Sequence, residues 1–148
     1  ERVVRQEDVG IVLSDGTPGI GCPVIASVSG TDLAVLVAEP SPSGLHDLER
    51  VIDLTAHFGV PAAVVINRAD LYPEGTEQTR QLAERRGLPC LGEIPLDLGI
   101  VDAQVQRETL TEWASGPAAA ALASIWRELR ELLRLPSDRA DGSRRAQT

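Results

Sequence analysis

Continuous apolar runs alternate along this chain with segments of helical periodicity. Four runs have the length of β-strands, at residues 9–15, 33–39, 62–67 and 89–92. Runs without polar alternation are typical of parallel strands that are covered on both faces. Strands separated by helices of about 10–15 residues predict right-handed βαβ units. The sequence therefore predicts an α/β fold: a three-layer, Rossmann-like, mostly parallel sheet with helices on both faces.

Start and stop signals delimit two helices between these strands. The first covers about 44–58, where apolar residues recur at three- and four-residue steps on one face. Ser43 is its predicted N-cap, and Gly59 ends it. The second is more polar, runs over about 76–86 and stops at Gly87.

Two further helices follow the last predicted strand. Asp97 is expected to cap a short helix at 98–107, and Pro117 to begin a helix that ends before Pro136. One apolar stripe is predicted along this last helix, from Leu122, Ile125, Trp126, Leu129, Leu132 and Leu133. Residues 137–148 have nothing to bury, so we expect a disordered tail after a domain at 1–136.

Composition excludes several classes of protein. A net charge of −8 over 148 residues disfavours binding to nucleic acid, and no apolar run is long enough to span a membrane. The two cysteines, Cys22 and Cys90, make no disulfide framework, which indicates a cytoplasmic protein, and they are too few to hold an iron–sulfur cluster alone. The chain begins at Glu1 and contains no methionine, which favours the C-terminal piece of a longer protein.

A glycine-rich loop follows the first predicted strand. Asp15 could order the water shell of Mg²⁺, while the N–H groups of Gly19 to Gly21 face a terminal phosphate. The alternative is that Asp15 caps the turn and the glycines bend it. All fourteen basic residues are arginine. A G-x-x-x-x-G-K-[ST] phosphate loop is therefore absent, since its lysine is missing.

Other polar residues follow the next strands, where ligands bind in parallel sheets. Glu39 follows the second strand and is a possible crevice residue. Asn67-Arg68-Ala69-Asp70 follows the third and differs by one residue from Asn-Lys-x-Asp, the base-reading signature of many GTPases. Alternatively, Asp70 caps a turn before Pro73. Gly92 to Pro95 follow the fourth strand.

Four motifs in order resemble the MinD/ParA/Mrp superfamily of deviant-Walker P-loop ATPases, the CobQ/CobB/MinD/ParA nucleotide-binding domain. They are Asp15 to Ser27, Val37 to Leu48, Val65 to Leu71 and Leu91 to Asp97. The resemblance covers about residues 9–135 and only the C-terminal part of such a domain. It is closest to members that carry an inserted ferredoxin-type domain.

The resemblance implies roles for particular residues. Asp15 would be the Walker B/switch II carboxylate, holding Mg²⁺ through water, and Gly19 would lie near the γ-phosphate. Asn67 would contact the adenine, and the loop from Pro95 to Asp97 would close over the base. Members of the family bind ATP·Mg²⁺ and dimerise around the nucleotide. Those with the insert would use [4Fe–4S] clusters, held outside this chain, with a redox or iron–sulfur partner.

The chain departs from the family in lacking the phosphate loop and the cysteine-rich insert. We therefore expect weak or no ATP binding and no ATPase activity from residues 1–148 alone. The N-terminal strand of the family's sheet, which this chain lacks, would pair beside the strand predicted at 9–15. An open sheet edge is therefore expected there. Two alternatives remain: a non-catalytic interaction module whose partner carries the phosphate loop, and a GTPase-type switch that reads guanine through Asn67 and Asp70.

Overall fold

Among the residues that the structure describes, three parallel strands form one sheet in the order β1-β2-β3. The structure is a computed structural model that describes residues 10–16, 24, 27–113 and 116–135. In chain order its elements are β1 (Ala34–Ala38), α1 (Pro42–His57), β2 (Ala62–Asn67), α2 (Pro73–Arg85), β3 (Cys90–Ile94), α3 (Gly99–Gln106), α4 (Leu110–Trp113) and α5 (Pro117–Leu132).

The central strand β2 is buried along almost its whole length. Its residues Ala62 to Ile66 are all buried, because β2 pairs with β1 on one side and with β3 on the other. Ala34 lies opposite Ala62, and Val64 lies opposite Cys90. The uninterrupted apolar run of β2 is therefore explained by its central place in a parallel sheet.

Helices cover both faces of the sheet. Alternate residues of a strand point to opposite faces, so Val64 and Ile66 face one layer while Val65 faces the other. Helices α1 and α2 pack on the first face through Leu48, Ile52, Leu82 and Ala83. Helix α5 packs on the second through Ala118, Ile125 and Leu129. The predicted three-layer α/β architecture is confirmed.

The start of α1 differs from the prediction by two residues. The N-cap is Ser41, whose Oγ accepts a hydrogen bond from the Gly44 N–H at 3.0 Å, rather than Ser43. Pro42 explains the difference, because its fixed φ suits the first helical position. The predicted end is correct, since the backbone of Gly59 turns left-handed at φ 65°.

The prediction of a first strand at 9–15 is wrong for the residues that the structure describes. Residues 10–16 have no strand conformation. They line the same cleft as β1, and no strand among the described residues pairs with them, which leaves their backbone groups without the bonds of a sheet. The structure also adds the one-turn helix α4, which was not predicted.

Several predictions fall on residues outside the described ranges. These are the roles of Gly19 and Cys22, the beginning of the chain and the tail at 137–148. Within the described part of the chain, no helix has the length and apolar character needed to cross a membrane.

Candidate functional site

The carboxyl ends of the three strands bring the predicted site residues to one rim of the sheet. Glu39 directly follows β1, Asn67 ends β2, and Pro95 directly follows β3. Parallel strands end at the same edge, and crevices at this edge are where open α/β sheets bind ligands. The structure therefore brings together the three segments that sequence reasoning singled out separately.

An ion pair joins the ends of β1 and β2. Arg68 Nη1 lies 3.0 Å from Glu39 Oε1, with both side chains about half exposed. Arg68 adopts a left-handed backbone (φ 54°), and its N–H donates to Asn67 Oδ1 at 3.0 Å. An exposed pair of this kind contributes about 0–1 kcal/mol, so it orients the loop more than it stabilises the fold. Sequence reasoning missed Arg68 as the partner of Glu39.

Three hydrogen bonds hold the loop after β2 to its neighbours. The Leu96 N–H donates to Asp70 Oδ1 at 2.7 Å, and the Ala69 N–H donates to the Ile94 carbonyl at 3.0 Å. The Thr76 hydroxyl donates to the Ala69 carbonyl at 2.7 Å from the first turn of α2. The two rim loops after β2 and β3 are thereby fixed against each other.

Asp97 connects the starts of two helices. Its Oδ1 accepts from the Gly99 N–H at 2.9 Å, at the first residue of α3, and its Oδ2 accepts from the Ala118 N–H at 3.2 Å, in the first turn of α5. A carboxylate suits this position because helix N-termini carry partial positive charge. Both oxygens have protein donors, so the loop's backbone and Pro95 remain the better candidates for nucleotide contact.

Glycine allows α2 to approach the loop after β1 closely. A Cβ on Gly75 would lie 2.2 Å from the Pro40 carbonyl oxygen and 2.5 Å from the Tyr72 ring. No side chain larger than hydrogen fits at this contact, which sets the position of the rim above β1 relative to α2.

Asp15 lies in irregular backbone, with an exposed side chain. It lines a cleft of about 1290 Å³ together with β1 and Glu39. No group of three or more potential metal ligands occurs among residues 10–16, 24, 27–113 and 116–135. A lone carboxylate fits a Mg²⁺ ion that keeps most of its waters and binds substrate phosphates, but not a protein-made metal cage.

The cysteines do not fit an iron–sulfur cluster in this chain. Such a cluster takes about four thiolates, and the sequence has two cysteines. Cys90 is half-buried in β3, and burial raises the pKa of its thiol above the ordinary value. A thiol held in its neutral form is a poor metal ligand, because metals bind the thiolate.

Comparison with known proteins gives relatives of two kinds, although no family model matches the chain. It is 26% identical to an iron–sulfur cluster carrier protein of Pyrococcus abyssi over 140 residues, which are 85% of this chain and 47% of that protein. It is 39% identical to an uncharacterised protein of Methanocaldococcus jannaschii over 61 residues, 41% of this chain and 21% of that protein.

Solved structures of MinD share the fold. The cell division ATPase MinD of Pyrococcus furiosus superposes with a TM-score of 0.68 at 22% identity, over 80% of this chain and 50% of that one. The MinD of Pyrococcus horikoshii, solved in complex with Mg-ADP, gives 0.68 at 20% identity, over 80% and 49%. The chain thus spans half or less of the length of each of these four proteins.

These findings confirm the resemblance drawn from the four motifs. The fold is that of the MinD structures, and the long sequence match is to an iron–sulfur cluster carrier protein. By fold and by sequence, the chain resembles the MinD/ParA/Mrp superfamily of P-loop ATPases and matches part of its nucleotide-binding domain.

Proposed function

We propose that this chain is the C-terminal, base-side part of a MinD-like ATP-binding domain. The strongest support is that the ends of the three strands are bonded to one another. Asp70, after β2, accepts a hydrogen bond from Leu96, after β3, and Arg68, after β2, forms an ion pair with Glu39, after β1. A base needs a preformed slot of fixed width, and these bonds hold three strand ends at fixed spacing.

Asn67 is the proposed contact with adenine. Its Oδ1 is already engaged by the Arg68 N–H, which fixes the orientation of the amide. Within the described part of the chain, no residue accepts a hydrogen bond from its side-chain NH₂ group. That group can donate to a ring nitrogen of adenine, while Pro95 and the Leu96 backbone cover the base.

The phosphates would be held mainly from outside this chain. The net charge of −8 opposes a triphosphate, and no lysine is present to offset it. Asp15 would act on the metal side through water, with Gly19 beside the γ-phosphate. In the complete site, hydrolysis would be in-line attack by water, driven by positioning and charge. This chain alone would not hydrolyse ATP.

The cellular role and the ligands that we propose for the complete protein come from its relatives. The iron–sulfur cluster carrier proteins suggest that it handles [4Fe–4S] clusters or transfers electrons, with the clusters and a redox partner outside these 148 residues. The MinD neighbour with bound Mg-ADP suggests ATP and Mg²⁺ as ligands. We further propose a cytoplasmic protein that forms a homodimer around nucleotide.

Nucleotide titrations followed by NMR test the base-side role. Adenosine and ATP at millimolar concentration should both shift the amide signals of residues 67–71 and 95–98. Asn67→Ala should reduce these shifts at least fivefold. Gln81→Ala, which truncates an exposed amide on α2, is the matched control and should leave them unchanged. The proposal fails if 10 mM adenosine shifts none of these signals.

The same titration, repeated with GTP, tests whether the chain prefers adenine or guanine. A guanine reader needs the Asp70 carboxylate for two base N–H groups, but Asp70 Oδ1 already accepts the Leu96 N–H. We therefore expect GTP to bind no more tightly than ATP, in the native chain and in Asp70→Ala. Preferential GTP binding that disappears in Asp70→Ala would support the GTPase-type switch instead.

A further inference from the structure

Strand β3 contains a β-bulge close to its rim end. Val64 of β2 lies opposite Cys90, but the next residue of β2, Val65, lies opposite Gly92, so Leu91 is an extra residue in β3. A bulge bends its strand and changes the direction of the side chains that follow, and bulges are frequent beside functional sites. This one lies just before the residues that lead into the loop after β3.

The bulge exchanges the faces of the last two residues of β3. Alternate residues of a regular strand share a face, so Ile94 would lie on the same face as Cys90. Instead, Cys90 packs on the first face of the sheet, under α1 and α2, whereas Ile94 packs on the second face, under α5. Glu93 is thereby turned towards α2. Without the extra residue its carboxylate would point into the apolar layer under α5, where an unpaired charge is costly.

Glu93 forms an ion pair with Arg80 of α2. Arg80 also pairs with Glu77, but Glu77 belongs to α2 itself, so it is the pair with Glu93 that joins this helix to β3. Both partners are partly exposed, and such a pair adds little to the stability of a fold. Its position matters more, because it lies two residues before Pro95, where the loop begins.

Gly92 allows α5 to lie directly against the bulge. A Cβ at this position would lie 2.7 Å from Ile125 Cγ1 and 3.3 Å from Ile125 Cδ1. Ile125 cannot simply rotate away, because a β-branched side chain in a helix strongly prefers one χ1 rotamer. The end of β3 is therefore held from both faces, by α5 at Gly92 and by α2 at Glu93.

Two hydrogen bonds carry this position to the rim loops. The Ile94 carbonyl accepts from the Ala69 N–H at 3.0 Å, and the Leu96 N–H donates to Asp70 Oδ1 at 2.7 Å. Both bonds depend on where β3 ends, since hydrogen bonds weaken steeply when donor and acceptor lose their alignment.

We propose that Gly92, Glu93 and Arg80 are positioning residues for the loop that covers the base, from Pro95 to Asp97. They act through the bonds of Ala69 and Leu96 rather than by touching the base. This inference rests on the proposed function, to which it adds the part of the chain that sets the width of the base slot.

Amide hydrogen exchange on the 148-residue chain without nucleotide measures the position of the loop. Gly92→Ala should speed exchange at Ala69 and Leu96 about tenfold, because both N–H groups lose alignment with their acceptors. Exchange at Ile52, on the buried face of α1, reports global unfolding and should change less. Gly10→Ala is the matched control, since no atom lies within 4 Å of the added Cβ, and it should change none of the three.

Substitutions in the ion pair give a second test. Glu93→Gln keeps the size of the side chain and removes its charge, and it should speed exchange at Leu96 about threefold. Arg80→Gln should do the same, and the double variant should do no more, because the two residues act as one pair. Glu77→Gln breaks the other pair of Arg80 and is the matched control, which should leave Leu96 unchanged.

Adenosine connects the position of the loop to the base. At 10 mM adenosine, the amide shifts of residues 95–98 should be about twofold smaller in Gly92→Ala than in the native chain, because a displaced loop must be reordered on binding. Glu77→Gln should match the native chain. A role in stability alone would leave these shifts unchanged at temperatures where every variant is folded.

Three results would overturn the proposal. They are unchanged exchange at Leu96 in Gly92→Ala, an equal increase at Ile52, and a doubled mass of Gly92→Ala, which would mean that the bulge serves to prevent pairing at the outer edge of β3. If exchange responds as expected but adenosine shifts no signal of the native chain, the positioning is retained and the nucleotide role is rejected. Adenosine shifts in the native chain with unresponsive exchange would retain the proposed function and reject the positioning.

Discussion

At the scale of residues, polar side chains shape the rim mainly by bonding to backbone groups. Asp70 accepts one backbone N–H, Asp97 accepts two, and Ser41 accepts one at the start of α1. Each bond satisfies a donor at a loop or a helix start that would otherwise need water. The loops are therefore held in place by the chain itself, and a loop ordered in advance loses less entropy when it binds a ligand.

Ser41→Ala should destabilise the chain by about 1 kcal/mol, because the Gly44 N–H loses its acceptor at the start of α1. Ser43→Ala is the matched control. Its hydroxyl contacts only Ser41 Oγ among the described residues, so we expect a change below about 0.5 kcal/mol. Urea unfolding of both variants measures the difference. Equal losses would contradict the assignment of Ser41 as the N-cap.

The Cys90 thiol should react with iodoacetamide only at higher pH than an ordinary thiol. Burial raises its pKa, so a smaller fraction is thiolate at each pH, and the thiolate is the reactive form. The measurement is the rate of alkylation against pH in a Cys22→Ala variant. The same variant unfolded in urea is the control. Coincident midpoints of the two profiles would disprove the shift.

At the scale of elements, the strands and helices that could be predicted from the sequence are those that a local residue pattern specifies. The unbroken apolar run of β2 indicated a central parallel strand, and Gly59 indicated the end of α1. The prediction of a strand at 9–15 is wrong for the described residues, because an apolar run becomes a strand only when a neighbouring strand pairs with it. The bonds of Asp97 to two helices could not be predicted, since residues 97 and 118 meet only through the packing of α5.

The two valines at positions 64 and 105 should respond very differently to truncation. Val64→Ala removes buried methyl groups from β2, where the side chain is 0% exposed, and should cost about 2–3 kcal/mol. Val105→Ala makes the same change on α3, where the side chain is 73% exposed, and should cost less than about 0.5 kcal/mol. Denaturant unfolding at constant m-value compares them. Similar losses would mean that β2 is not the centre of the core.

At the scale of the whole molecule, the described residues form a sheet that is covered on both faces and has no described strand beside the outer edge of β1. β2 and β3 have helices on both sides, whereas Val35 and Val37 of β1 are exposed in the described part of the chain. The residues assigned to the base lie on loops that the described part fixes firmly. Those assigned to the phosphates, Asp15 and Gly19, lie in irregular backbone or outside the described residues. The sequence indicated this division between base and phosphate contacts, because it has no lysine for a phosphate loop.

This division predicts that the 148-residue chain binds ATP·Mg²⁺ more weakly than about 10 μM and does not hydrolyse it. That dissociation constant corresponds to about 6.8 kcal/mol, and most of the affinity for a triphosphate comes from charged contacts to phosphate oxygens. The loops proposed to hold the base belong to this chain, whereas the phosphates of a bound ATP would meet its net charge of −8. Calorimetric titration with ATP·Mg²⁺ measures the affinity. Adenosine is the control: it lacks the phosphates that the negative chain repels, so it should bind at least as tightly as ATP·Mg²⁺. A tighter constant for ATP than for adenosine would show that residues 1–148 hold the phosphates themselves.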